Sequence, residues 1–192
     1  MARVPPPSVL RTVVDNVDDF NKRVKELTGL EVLVGFPEDT TLRDDTSPMT
    51  NATLAYIHDN GAPEANIPAR PFMIPGMEAA AASIEKALHY TANQALNKSN
   101  SAPDAVNKGL VIAGSMATLS IRRKISEGIP PPLAASTLRD RARRGRKGAK
   151  EELRARSAGV APSMTLAKPL IDTGQLRNAV TFVIRRRRRR EK

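Results

Sequence analysis

At 192 residues the chain is long enough for one domain with a real core, and its lack of cysteine excludes disulfides, thiolate metal sites and a cysteine nucleophile. No run approaches the roughly 18 apolar residues of a membrane span, and aromatics are only 3% of the chain, so the core must be built from Ala, Leu, Ile and Val. The net charge of +11 is concentrated in two places: residues 139–156 and 185–192 each carry +6, which leaves −1 for everything else.

Pro5, Pro6 and Pro7 open the chain as an extended arm, assigned here to residues 1–13. Val14, Val17, Phe20, Val24 and Leu27 then recur at three- and four-residue steps and predict an amphipathic helix over 14–27, ended by Gly29. Residues 30–36 read as a strand bounded by Pro37, and 38–50 as a polar loop. An ordered segment, strand or short helix, follows at 53–58 and stops at Asn60-Gly61-Ala62-Pro63. Three prolines predict extended backbone over 67–75.

Two long helices come next. The first, over 76–97, carries Met77, Ile84, Leu88, Ala92 and Leu96 on one stripe. The second, over 103–128, carries Val106, Leu110, Ala113, Ala117, Ile121 and Ile125, with a capping box at Ser101–Asp104 and Gly128 as its stop. A short helix over 134–144 runs into the basic block, where Gly145 and Gly148 predict a loosely structured insertion over 139–164. A helical turn at 176–179 and a strand at 180–184 close the regular part, and that strand is expected to pair with 30–36. The predicted fold is α+β: a small mixed or antiparallel sheet on two long helices, one domain over 14–184, with an Arg-rich tail at 185–192.

Four local patterns occur in order: Tyr56-Ile57-His58-Asp59-Asn60-Gly61, Ile67-Pro68-Ala69-Arg70-Pro71-Phe72, Pro131-Pro132-Leu133 with Thr137-Leu138-Arg139, and Lys168-Pro169-Leu170-Ile171-Asp172-Thr173-Gly174-Gln175-Leu176-Arg177. Together they resemble the virion-morphogenesis and tail-completion proteins of tailed bacteriophages, over roughly residues 32–184. The resemblance implies a non-enzymatic structural subunit of the phage neck, acting by geometry. It would form a homo-oligomeric ring of six or twelve copies between a portal or connector protein and a tail-tube or tail-terminator protein. Its place would be the virion, assembled in the host cytoplasm, with no cofactor and no membrane. The basic block and the terminal Arg run lie outside the pattern.

Residue by residue, Arg70 stands between Pro68 and Pro71 on stiff backbone, and is expected either to reach a neighbouring subunit's carboxylate or to be solvated, while Phe72 anchors the segment in the core and is, with Arg70, a candidate interface residue. Arg139, Arg141, Arg143, Arg144 and Arg146, with Arg185, Arg186, Arg187, Arg188, Arg189 and Arg190, are candidate partner contacts on basic arms. Their partner is an acidic ring surface or, in the alternative reading, DNA phosphates bound without base recognition, since aromatics for stacking are scarce.

Asp172-Thr173-Gly174 is also the signature of aspartic proteases, but only 18 residues follow it, too few for the rest of a lobe. The simpler expectation is that Asp172 caps a helical turn, with Gln175 completing a capping box. Gly145-Arg146-Lys147-Gly148 lacks the spacing of a phosphate loop, and His58 and His89, far apart in sequence, form no metal motif.

Overall fold

The first helix, α1 (Pro7–Thr28), starts earlier than its apolar periodicity suggested. Residues 7–13, expected to be extended, are helical, because proline is well tolerated at the first helical position, where the missing N–H has no partner within the helix. The computed structural model that shows this describes residues 7–37, 49–97 and 102–187, without the side chains of 7–16 and Ala102. The expected loop at 38–48, the cap at Ser101 and residues 188–192 of the tail lie outside the described residues.

After α1 comes β1 (Leu30–Gly35), then α2 (Asn51–Asn60). The Thr50 side chain caps α2 by accepting the Thr53 N–H at 3.1 Å, and Gly61 ends it. A 3-10 turn at Pro63–Ala65 and an antiparallel bridge between Ala62 and Ile67 lead to α3 (Met73–Asn97), whose first turn absorbs Pro75. There follow α4 (Ala102–Glu127), α5 (Ala135–Arg143), α6 (Lys147–Ser157), α7 (Gln175–Ala179) and β2 (Thr181–Arg186). The strands pair as expected, and of the mixed or antiparallel alternatives the sheet is two-stranded and antiparallel, so the fold is α+β with two long helices. None of the described helices is long and apolar enough to cross a membrane.

The described residues group into two compact units, one within 1–33, 82–114 and 183–192, the other within 34–81 and 115–182. In the first, Ala95 and Val106 are buried against Leu27, Leu30, Ala105 and Leu110. Arg23 donates to the Leu96 carbonyl at 2.7 Å, and Arg185 pairs with Glu31 across the strands at 2.8 Å. Val17 and Phe20, predicted to face a core, are each about half exposed. So is Leu88 in part, because the small residues Thr91 and Ala95 of α3 turn inward instead.

In the second unit, Phe72, Ile121, Ile125, Ile129, Leu176 and Val180 build the main core, and the Phe36 and Phe72 rings meet edge to face at 6.2 Å. A satellite core joins Leu133, Leu138, Ala149 and Ala167 beneath α5 and α6. The expected loose insertion is therefore an ordered helical hairpin. Gly145, at φ 83°, closes α5, and Gly148 lets α6 approach the chain so closely that a Cβ there would lie 2.0 Å from the Leu166 carbonyl oxygen. Glu152, 2% exposed, ties the hairpin down: it accepts from Arg156 Nε at 2.9 Å, from the Ser163 N–H at 2.8 Å and from the Ser163 hydroxyl at 3.2 Å. These bonds, the Ser163 backbone N–H above all, hold its carboxyl below the usual carboxylate range despite burial.

Candidate functional site

The site lies wholly within the second unit and begins with Asp59, at the end of α2. Its carboxylate accepts the N–H groups of Phe72 at 2.7 Å and Met73 at 3.0 Å, which satisfies two donors at the N-terminus of α3 that have no partner within the helix. The Arg70 N–H donates to the His58 carbonyl at 2.8 Å. With Phe72 buried completely in the core, the segment 67–72 is held at three successive points.

That anchoring turns Arg70 inward. It neither projects from stiff backbone toward a neighbour nor is solvated, the two expectations for it: Arg70 is 5% exposed and donates to the Pro131 carbonyl at 2.9 Å. Burial holds its guanidinium below the ordinary arginine range. Phe72, also expected at an interface, is core.

A second buried arginine comes from α5. Arg141, 9% exposed, donates to the carbonyls of Lys168 at 2.9 Å and Ile171 at 2.7 Å. Between those carbonyls Leu170 adopts φ 63°, a left-handed conformation that L side chains disfavour by roughly 1–2 kcal/mol. Such strain persists where its surroundings over-determine it, and the two bonds from Arg141 do that here. Burial pushes the Arg141 guanidinium down, Asp172 opposes this, and Arg144, Arg146 and Arg70 add to it.

Asp172 is not a helix cap. The residue before α7 is Gly174, at φ 85°, and no side chain caps that helix; the Gln175 N–H instead meets the Thr173 hydroxyl at 3.3 Å. The Asp172 carboxylate is drawn away by Arg144 at 2.7 Å and Arg146 at 2.9 Å, with Arg141 Nε at 4.0 Å. Three charged partners outcompete two backbone N–H groups for the same oxygens.

Arg70, Arg141, Arg144 and Asp172, with His58, line a groove of about 900 Å³ whose other walls include Pro63, Pro68, Pro131 and Leu170. Among the described residues no Phe, Tyr or Trp lines it, and three arginines face one carboxylate, which makes the described lining cationic.

The remaining predicted residues do not join it. Arg139 and Arg143 are exposed, Arg143 pairing with Asp140; Arg185 pairs with Glu31 on the strands, and Arg186 and Arg187 are exposed. Arg188, Arg189 and Arg190 lie outside the described residues. The tail expected from 185 onward thus begins no earlier than 187, since β2 runs to Arg186 and the Arg187 N–H still bonds the Gly29 carbonyl at 2.9 Å. Sequence reasoning missed Asp59, Glu152 and Arg122, the last of which donates to the Asn178 and Val180 carbonyls at 3.0 and 2.8 Å. Apart from Arg156, four residues from Glu152, their partners are 11 or more residues away, beyond any local pattern. Among the described residues no group of three or more His, Asp or Glu could hold a metal ion. Compared with protein-family models, curated proteins and solved structures, the chain matches none significantly.

Proposed function

We propose that this chain is a non-enzymatic structural subunit of the neck of a tailed bacteriophage, a ring-forming protein that joins or closes head and tail between a portal or connector and the tail. The observation that carries the reading is the ordered set of four segments that resembles the tail-completion proteins, together with the bonds that connect them. Asp59 and His58 of the first segment hold Phe72 and Arg70 of the second. Arg70 binds Pro131 of the third, and Arg141, two residues past the third, binds Lys168 and Ile171 of the fourth. Segments bonded to one another in this way form one framework, which supports reading the four together and not as separate short motifs.

A second support is the half-exposed apolar face of α1 at Val17 and Phe20, with Val111 and Ile112 on α4 also 42% and 48% exposed. A second copy of the chain is the occupant that a ring subunit calls for. The test is electron microscopy of particles made without this protein. Separate, complete heads and tails are expected; intact, infectious virions would remove the reading.

One observation favours a second reading, DNA contact through phosphates. Arg139, Arg143, Arg146, Lys147, Lys150 and Arg154 are all exposed on or beside the α5–α6 hairpin. Binding of random duplex DNA by the free chain, falling steeply with salt and abolished by neutralising these residues, would put this reading first.

A further inference from the structure

We propose that the Arg70–Arg141 groove is a receptor site for an extended, acidic segment of a partner polypeptide, one carboxylate of which is held by Arg70. The inference is independent of the neck reading. It rests on a cation that the described residues bury and do not fully satisfy. Arg70 is 95% removed from solvent, uses one N–H on the Pro131 carbonyl, and its buried Nε has no hydrogen-bond partner among the described residues. A guanidinium placed this way is unfavourable unless an anion completes it. Arg141 deepens the deficit, since it is buried in the same groove and its nearest carboxylate, Asp172 at 4.0 Å, is already shared by Arg144 and Arg146.

The chemistry of the walls selects the ligand. The described lining contains no Phe, Tyr or Trp on which a base would stack, which argues against a nucleotide. The volume of about 900 Å³ is at the upper end for a small-molecule pocket and suits a few residues of chain. Pro63, Pro68, Pro131 and Pro132 make rigid walls, and Leu54, Leu133 and Leu170 offer apolar contact beside the cations. An acidic residue next to an apolar one, on extended backbone, meets both.

Calorimetric titration of the full chain tests this with three probes: a capped hexapeptide carrying one glutamate and one leucine, its glutamine counterpart, and inorganic phosphate. The glutamate peptide is expected to bind at least about tenfold more tightly than the glutamine peptide, the scale of one charge-assisted hydrogen bond. Arg70→Gln should remove that advantage. Arg144→Gln, altering a side chain 57% exposed and so harmless to folding, should reduce it severalfold. Should Arg70→Gln fail to fold, the Nε–H resonance of Arg70 in the wild-type chain, identified by its loss in Arg70→Lys, must shift when the glutamate peptide is added. Equal binding of the two peptides, binding that leaves this resonance in place, or phosphate bound as tightly as the glutamate peptide would each overturn the proposal.

Discussion

The two compact units handle their charged residues in opposite ways. The second unit puts charge inside, with Arg70, Arg141 and Glu152 all at least 90% buried, and its aromatic anchor Phe72 fully enclosed. The first unit keeps its charged pairs at the surface or half covered, as in Arg185 with Glu31. Both turn some apolar side chains outward, Tyr56, Ile74 and Leu119 in the second and Val17, Phe20, Tyr90, Val111 and Ile112 in the first. The second, however, has a large core that encloses polar machinery, and the first a core of a few small residues. Periodicity in a sequence tells that a helix has an apolar side, and it does not tell whether the same chain covers it.

The sharpest way to break this comparison is to cut the core of the second unit. Phe72→Ala removes a side chain with no exposure that meets Phe36 edge to face, and should lower unfolding free energy by about 3–5 kcal/mol in urea titration. A loss under 1 kcal/mol would mean that the second unit's core is as dispensable as the first unit's surface.

Next in size is Glu152→Gln, which leaves Arg156 short of its anion in a buried setting and should cost about 2–4 kcal/mol. The sign of its pH dependence follows from the depressed carboxyl. The wild-type contribution is complete above the unfolded glutamate value of about 4.3 and is lost as pH falls through the lower folded value, because the unfolded chain takes up the proton first. Acid unfolding curves should therefore converge: the difference between wild type and Glu152→Gln shrinks as pH drops below about 4. A difference that stays constant with pH would assign the loss to packing instead of charge.

How far these features could be read beforehand divides along the same line. The α4 stripe followed from local apolar spacing and the pairing of β1 with β2 from two β-rich segments, and the structure has both; Phe72 was legible as an anchor but was also expected at an interface, and it is core. The α3 stripe was legible only as a helix. Its inward face is Gly76, Ala80, Thr91 and Ala95 and not Met77 and Leu88, because close approach of α4 favours the small side chains. The basic block looked like a mobile arm because nine cations in 18 residues repel one another. What orders it is distant: backbone carbonyls at 133, 168 and 171 that accept from Arg156 and Arg141. A carbonyl is present at every position of a sequence, so the acceptor that matters leaves no mark there. The groove, made of such contacts, was legible in its individual arginines and not as a site.

In the first unit the test is close approach. A Cβ at Gly109 would lie 2.6 Å from Thr91 Cβ and 2.0 Å from its hydroxyl, which already donates to the Ala87 carbonyl at 2.8 Å. Gly109→Ala gains up to about 1 kcal/mol of helix propensity but forces α3 and α4 apart there, for a net loss of about 1–2 kcal/mol. Adding Thr91→Ala should recover most of it. Failure of the second substitution to rescue the first would show that the contact in this small core is not where its stability resides.

The smallest expected effect on stability carries the most information about the exposed face. Val17 and Phe20 lie three residues apart on α1 and are 53% and 51% exposed, so replacing both with Ser removes little that the folded monomer buries. Unfolding free energy should change by no more than about 0.5 kcal/mol. Self-association followed by sedimentation velocity over a concentration series should weaken by about tenfold or more, since one or two apolar side chains at an interface are worth that much. The pairing of the two readouts decides the matter. Lower stability with unchanged association would mean that the chain itself covers this face, and the two units would then differ in depth of core and not in kind. Unchanged stability with weaker association would identify the half-finished helix stripe as the surface through which copies meet, and the contrast between the units would be one between a part that folds and a part that assembles.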